Sequence, residues 1–549
     1  MSDELKHECA VAMVVLRKSP SSVGDFGGTK LSLLLEKQHN RGQDGAGAAI
    51  LSANPEPGNE PYWLAKSASA TPLADVLGAI GKRPSNVGRI FLGHLRYATF
   101  GKNEEKFCHP FVHESSELSH TLLLAGNFNL TNAAELFDNY RNHGEFPTSR
   151  ADGYLITELV AHELAGGKSQ ADSIATALAE ADGAWTLCGM TGDGWAFATR
   201  DKHGIRPGFY YLDDEVVVVA SERPAIQAAF DVPPEKVKEL PRGEVILVSP
   251  GGAVELVDIC DAKPPSRACA FERIYFSRAN DADIHRERKA LGAALVPQIL
   301  QAADAPMEDI FFSYIPNSAR IAFHGLLERL LSLRGALEFG RFGEVIVKDA
   351  KFRTFIADAA ARREFYKHVY DVTYGLVKPG RDTLVVLDDS IVRGNTMKNA
   401  ILPMLDRLGP KRIIIASSAP PIRYPDCYGI DMSTLGELVA FKALVNLLGE
   451  NAEEELRRAH ASSELNPLAR LYSAFPEEAY SAEIARLLTP PGMKAEVKVV
   501  YQSIGALHAA CPGSLGDWYF TGEYPTAGGY KVLRKALSNY LGRSSERSY

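Results

Sequence analysis

The run Thr383-Leu384-Val385-Val386-Leu387 constrains the fold most: five apolar or β-branched residues lead straight into Asp388-Asp389. A strand without polar alternation is buried on both faces, as in parallel sheets covered by helices. Flanking segments have helical periodicity. Arg286 to Ala302 precedes the strand-like Ile310 to Ile315, Ile321 to Arg334 precedes Glu344 to Lys348, and Met397 to Leu408 precedes Arg412 to Ala416. This alternation predicts an open parallel sheet whose ligands bind beyond the carboxyl ends of its strands. The tail after about Ala440 reads as helical and then Gly- and Tyr-rich, with Lys531 to Arg547 a mildly basic surface helix.

Past the two aspartates come Ser390-Ile391-Val392-Arg393-Gly394-Asn395-Thr396, a small polar loop that opens a helix. Backbone N–H groups at a helix start attract phosphate, and the Ser390 and Thr396 hydroxyls add donors. Two acids beside an anion site would repel the ligand unless they bind ribose hydroxyls or a Mg²⁺ that bridges diphosphate oxygens. The stretch Gly24-Asp25-Phe26-Gly27-Gly28-Thr29-Lys30 is not a P-loop, because it lacks the Gly-Lys-Ser/Thr order and a preceding strand.

The first half is strand-rich, with apolar runs at Val11 to Leu16, Arg89 to Leu92, Thr121 to Leu124, Ala184 to Gly189, Trp195 to Thr199 and Glu215 to Ala220. Leu155 to Leu164 reads as a helix between them, and Lys263-Pro264-Pro265-Ser266 as a connector between domains. With 46% hydrophobic and 23% charged residues, 549 residues bury a large core, which excludes disorder as the main state. A net charge of -8 argues against a nucleic-acid partner, so an anionic ligand needs a local pocket. The cysteines at 9, 108, 188, 260, 269, 427 and 511 form no C-x-x-C pair, and Cys108-His109 reads as structural. Asp3, Glu4 and Glu8 precede the first apolar run where a signal peptide would be basic, and no stretch reaches membrane-span length. The expected setting is cytoplasmic, without a membrane partner.

Cys9 opens the first apolar strand. A cysteine freed at a new N-terminus has its own α-amine as a nearby base, with an ordinary pKa of about 8. Four further segments accompany it: Asn40-Arg41-Gly42-Gln43-Asp44-Gly45-Ala46-Gly47, Gly93-His94-Leu95-Arg96-Tyr97-Ala98-Thr99, Gly126-Asn127-Phe128-Asn129-Leu130-Thr131-Asn132 and Arg200-Asp201-Lys202-His203-Gly204-Ile205-Arg206-Pro207. Together they resemble the glutaminase domain of class II glutamine amidotransferases. The segment from Leu384 to Thr396 resembles the phosphoribosyl-pyrophosphate (PRPP) motif of type I phosphoribosyltransferases. Val219-Ala220-Ser221-Glu222, Phe271 to Arg278, Tyr428 to Met432 and Phe520 to Pro525 extend the likeness from about residue 9 to about 530, across the glutamine phosphoribosylpyrophosphate amidotransferase family.

This resemblance implies an α/β and α+β chain, in which an N-terminal αββα sandwich of N-terminal-nucleophile (Ntn) hydrolase type precedes an open, mainly parallel-sheet phosphoribosyltransferase domain. The expected divisions are a propeptide at 1–8, the amidotransferase domain at 9–262, the phosphoribosyltransferase domain at 263–480 and a C-terminal extension at 481–549. By resemblance, Cys9 attacks the glutamine amide to give a thioester, while Asn127 and the Phe128 N–H form the oxyanion hole. Arg96 pairs with the substrate α-carboxylate, Asp152 with its α-ammonium, and Arg41 and Gly42 line the site. Asp388 and Asp389 hold ribose hydroxyls or Mg²⁺, and Ser318 matches a further diphosphate or metal position. Ser390, Arg393, Gly394, Asn395 and Thr396 cradle the 5′-phosphate, and Lys348 and Arg353 match a lid over PRPP. Ammonia then displaces pyrophosphate at C1, giving phosphoribosylamine for purine synthesis.

The chain departs from the family pattern in four places. Cys9 follows eight residues whose removal the nucleophile requires, Phe128 stands at a usual Gly, Asn395 at a usual Thr, and the lid segment is one residue short. Cys269 lies near one position of the iron–sulfur cluster some relatives carry, but Asp517-Trp518-Tyr519-Phe520 replaces two ligands, so no cluster is expected. Expected partners are glutamine, PRPP, inhibitory purine nucleotides and further copies of the chain in a homo-oligomer. Competing readings are a non-catalytic PRPP- or nucleotide-sensing paralogue and a glutaminase serving another acceptor. Cys9, Arg96, Asn127, Asp152 and the Asp388-Asp389 pair count against the first, and the Asp388 to Thr396 segment against the second.

Overall fold

The computed structural model describes residues 8–18, 25–53, 58, 60–83, 88–98, 103–142, 147–334, 341–348 and 370–544. In its first half, two antiparallel sheets lie face to face. One has seven strands in the order Lys238–Glu239, Phe209–Leu212, Val216–Ala220, Ala10–Leu16, Gly88–Arg96, Gly45–Ser52, Tyr62–Ser67. The other has six, in the order Val254–Asp258, Glu244–Val248, Ala196–Arg200, Gly183–Thr191, Leu122–Leu130, Phe111–His113. The strand Ala10–Leu16 shows why the layers form. Val11, Met13 and Val15 meet Leu123, Ala125, Cys188 and Met190 of the second sheet. Ala12, Val14 and Leu16 point the other way, onto Leu31, Leu34 and Leu35 of the helix Phe26–Lys37. Side chains alternate along a strand, so an unbroken apolar run needs cover on both sides. The outer face of the second sheet packs Leu122 and Leu124 on Leu155, Ile156 and Val160 of the helix Asp152–Ala165. These four layers are the expected αββα sandwich.

The second half holds a five-stranded, wholly parallel sheet in the order Arg341–Phe342, Ile310–Tyr314, Thr383–Asp388, Arg412–Ser417, Glu496–Tyr501. Thr383–Asp388 is central. Val385 and Leu387 face Val296 and Ile299 of the helix Val296–Ala303 and Leu326 of Arg320–Arg334, while Leu384 and Val386 face the opposite core.

Three sequence expectations change here. The helix expected over Arg286 to Ala302 is two, Ala282–Ala294 and Val296–Ala303, with Pro297 in the first turn of the second, where its missing N–H costs no helical bond. Met397 to Leu408 forms a wide π-helical turn, Met397–Ile401, and then Leu402–Asp406 with Pro403 in its first turn. The parallel sheet also runs past residue 480, where the second domain was expected to end, because Glu496–Tyr501 pairs with Arg412–Ser417.

The last helix, Ala527–Leu541, is anchored rather than superficial. Val532, Leu533, Ala536 and Leu537 are buried, and the Gly528 N–H donates to Asp182 of the first half at 2.9 Å. Among the described residues, no helix is long and apolar enough to cross a membrane.

Candidate functional site

Cys9 sits at the mouth of the first strand, where its Sγ accepts from the Tyr97 N–H at 3.2 Å. Arg96 ends the neighbouring strand Gly88–Arg96, and Asp152 opens the helix Asp152–Ala165. Cys9, Arg96, Gly126, Phe128 and Asp152 line one cavity together with Tyr97, Phe107, His109, Phe111 and Ala151. That cavity holds only about 30 Å³, room for one or two waters and too little for a glutamine side chain. Burial pushes the Cys9 thiol up to about 11, although the Tyr97 backbone and Arg96 work the other way. Burial also raises Asp152, to about 6, against the Gly153 N–H and Arg96.

Phe128 occupies the strand Leu122–Leu130 opposite Trp185. Among the described residues, positive φ at a non-glycine occurs at Asp231, Asp304 and Arg543, so Phe128 stands here without the glycine-only backbone. Its ring lies 5.3 Å from that of His109, which stacks on His94 at 3.9 Å. Burial keeps both imidazoles neutral, His94 down to about 3 and His109 well below its usual value. Cys108 faces the Ser67 carbonyl instead. Sequence reasoning read His109 as structural, since nothing in its spacing ties it to Cys9.

Arg41 does not line this cavity. Its guanidinium is fully buried elsewhere, with Nε 2.8 Å from Glu222 and Nη2 2.6 Å from Glu272. A buried guanidinium demands carboxylates, and these two come from 181 and 231 residues away in the chain. Gly42 is placed differently: at φ +42° its N–H donates to the Glu8 carbonyl at 2.9 Å. The Glu8 carboxyl accepts from Asn127 Nδ2 at 3.3 Å and pairs with the buried Arg206. Burial raises Glu8, and its proton is shared toward Glu272, where Arg41 offsets the burial and holds the carboxylate ionised. Sequence reasoning missed the roles of Glu8, Arg206, Glu222 and Glu272, because only the tertiary fold brings them together.

The second site lies beyond the carboxyl end of Thr383–Asp388. A cavity of about 470 Å³ is lined by Ser318, Lys348, Asp388, Asp389, Ser390, Arg393, Gly394 and Thr396, within the usual range for small-ligand pockets of roughly 300–1,000 Å³. Asn395 is absent from this lining, and Arg353 lies outside the described residues. Gly394 has φ +77°, where a Cβ would meet Leu488 at 2.3 Å. Arg393 is held by Glu437 at 2.7 Å and the Asp431 carbonyl at 3.0 Å. Asp389 accepts from Ser390 at 2.9 Å and from Ser318. Burial, then Asp389, raises Asp388 well above the carboxylate range; burial also raises Asp389, against Ser318, Ser390 and Arg288.

The wall of this cavity also includes His39, Asn40 and Gln43, from the loop that carries Arg41 and Gly42. A larger open groove, about 1130 Å³, follows the outer edge of Glu496–Tyr501 and includes none of the expected residues. Near the connector, Cys269 Sγ lies 3.4 Å from the Tyr519 hydroxyl, and the Trp518 indole donates to Asp426 at 2.8 Å.

A cysteine-bearing Ntn sandwich joined to a parallel sheet with an Asp-Asp loop defines a class: a glutamine amidotransferase fused to a phosphoribosyltransferase fold. Comparisons agree. Residues 96–228 match the glutamine amidotransferase domain family. Amidophosphoribosyltransferase of Methanocaldococcus jannaschii is 30% identical over 68% of this chain and 76% of its own. The Escherichia coli enzyme of that name is 30% identical over 73% and 78%. The solved Bacillus subtilis glutamine PRPP amidotransferase superposes with a TM-score of 0.70 over 94% of this chain and 97% of its own, at 23% identity, a likeness of fold. The chain belongs to the amidophosphoribosyltransferase family.

Proposed function

We infer that this chain transfers ammonia from glutamine to PRPP, giving 5-phosphoribosylamine, glutamate and pyrophosphate, the first committed step of de novo purine synthesis. The observation that carries the coupling is the loop 38–44. His39, Asn40 and Gln43 wall the Asp388–Asp389 cavity, while the Asp44 N–H donates at 3.0 Å to the carbonyl of Arg96, which lines the Cys9 cavity. A ligand that moves this loop acts on both sites.

In the glutaminase half, removal of residues 1–8 gives Cys9 a free α-amine as base. The thiolate attacks the amide, and Asn127 with the Phe128 N–H takes the oxyanion charge. Arg96 binds the glutamine α-carboxylate and Asp152 its ammonium; Gly42 lies beside the nucleophile, and Arg41 supports the loop that carries it. In the other half, Ser390, Gly394 and Thr396 hold the 5′-phosphate, with Arg393 bracing the loop and the Asn395 backbone completing it. Asp388 and Asp389 take ribose hydroxyls, Ser318 takes diphosphate oxygens, and Lys348 and Arg353 close over them.

Adjacent carboxylates that repel each other, Asp389 buried and Asp388 half-buried, fit a hard divalent cation. Among the described residues no cluster of three such ligands exists, so diphosphate and water oxygens would complete the shell. Mg²⁺ held by Asp388, Asp389 and Ser318 would neutralise the departing pyrophosphate. We place residues 9–262 in the glutaminase unit and extend the phosphoribosyltransferase unit from 263 through the strand Glu496–Tyr501. Seven free cysteines support a reducing cytoplasm. The B. subtilis relative was solved with ADP and GMP, and we extend purine-nucleotide inhibition and homo-oligomeric assembly to this chain.

The test uses amide-¹⁵N glutamine with excess unlabelled ammonia, Mg²⁺ and PRPP. Label retained in phosphoribosylamine, with glutamate release stimulated by PRPP, is expected. Label diluted to the level of the solution ammonia, or glutaminase indifferent to PRPP, would defeat the reading.

A further inference from the structure

The contacts around Glu8 surround the peptide bond that must break if Cys9 is to become an N-terminus. The Glu8 carbonyl oxygen receives the Gly42 N–H at 2.9 Å. That N–H is aimed by the fold: Gly42 has φ +42°, and a Cβ on it would lie 2.3 Å from the Leu95 carbonyl carbon and oxygen. The Glu8 side chain is as firmly held, by Arg206, by Asn127 Nδ2 at 3.3 Å and, farther off, by Arg41 at 3.8 Å, all of them buried. Asn127, the side-chain donor assigned to the glutamine oxyanion, is therefore occupied by Glu8 while the Glu8–Cys9 bond is intact.

We propose that the uncut chain carries a second oxyanion site for its own maturation, in which the Gly42 N–H stabilises the Glu8 carbonyl oxygen and the seated Glu8 side chain positions the scissile bond. The proposal rests on reading Met1 to Glu8 as a leader and adds the atoms that remove it. Cys9 Sγ bonds to the Glu8 carbonyl carbon through a five-membered ring, and negative charge develops on the oxygen facing Gly42. The carbon–nitrogen bond then breaks, and the thiol proton passes to the departing nitrogen, which becomes the Cys9 α-amine. Water hydrolyses the resulting Glu8 thioester, returning the thiol and ending the leader in a carboxylate. Departure of Glu8 also uncovers Asn127, so one cut supplies both the base and the free oxyanion donor. Arg206 keeps Asp426 as a nearby buried counter-charge.

The experiment follows intact mass after synthesis of the full chain, for the wild type and for Glu8→Ala, Glu8→Gln and Gly42→Ala. Folding is checked by circular dichroism and unfolding midpoint. Glu8→Ala is expected to slow cleavage about tenfold, the rate equivalent of one hydrogen bond to a charged group. Glu8→Gln, which still accepts from Arg206 and Asn127, cuts faster than Glu8→Ala. Gly42→Ala, whose added Cβ displaces the N–H, slows cleavage about a hundredfold, as loss of an oxyanion donor does. A folded Gly42→Ala that cuts at the wild-type rate overturns the oxyanion assignment. Equal rates in Glu8→Ala and Glu8→Gln overturn the positioning role, and that pair decides the matter if Gly42→Ala does not fold. A wild-type chain that turns over glutamine without ever being cut is a separate failure, since it removes the leader reading itself.

Discussion

Cys9 and Asp152 share a cavity and are both pushed toward their neutral forms by burial. A thiol raised to about 11 is a weak nucleophile at neutral pH, so the proposed attack on glutamine needs a base, the part we propose for the α-amine that removal of residues 1–8 would free. Cys9→Ala is expected to lose at least about a thousandfold in glutamine-dependent turnover, while turnover with added ammonia continues at the other site. Loss of both activities would count against separate sites. Asp152 must be ionised to bind an ammonium, and with its carboxyl at about 6 the charged form prevails above that pH and disappears below it. The kcat/KM for glutamine of the mature enzyme should therefore fall as pH drops through about 6. Asp152→Asn should flatten that limb at a lower plateau, and an unaltered profile would reject the assignment.

The loop after Thr383–Asp388 combines a legible part with a hidden one. Its Asp-Asp pair, hydroxyls and glycine could be read from residue order alone. That Gly394 must be glycine was decided by two things the order does not contain, a positive φ and the Leu488 side chain 2.3 Å from where a Cβ would sit. Gly394→Ala should cost about 1–2 kcal/mol in backbone strain alone. It should raise the KM for PRPP more than the KM for glutamine. Equal changes in both would mean the loop acts only through stability. The break at Pro297 and the π-turn just before Pro403 were marked in the sequence by prolines, but apolar periodicity continued through both and concealed them.

Across the whole molecule, the two halves are joined by buried polar contacts rather than by apolar surface alone. Arg41 of the first half pairs with Glu272 beyond the connector, Asn129 Nδ2 donates to the Cys427 carbonyl at 2.7 Å, and the last helix returns to Asp182. Removing one partner of a buried ion pair leaves an uncompensated charge, so Arg41→Ala should destabilise the protein by about 3–5 kcal/mol. Urea unfolding measures this, and a loss below about 1 kcal/mol would show that water reaches the Glu222 and Glu272 carboxylates. Because the loop that carries Arg41 walls the Asp388–Asp389 cavity and donates from Asp44 to Arg96 of the Cys9 cavity, Arg41→Ala should also weaken the stimulation of glutaminase by PRPP.

Some features were determined by the sequence itself, because they depend on neighbours along the chain. Apolar runs without alternation demanded covered sheets, the Asp388 to Thr396 order specified an acidic loop between strand and helix, and Cys9 with the Arg96, Asn127 and Asp152 segments marked the amidotransferase domain. Tertiary structure decided what depends on residues far apart in the chain. It placed Arg41, expected at the glutamine site, in a buried charge cluster, brought His109 into the Cys9 cavity, and carried the parallel sheet past residue 480. It also set Gly42 on the Glu8 carbonyl. Each of these follows from burial: a charge or N–H removed from water takes the partner that the fold brings to it, however distant in sequence.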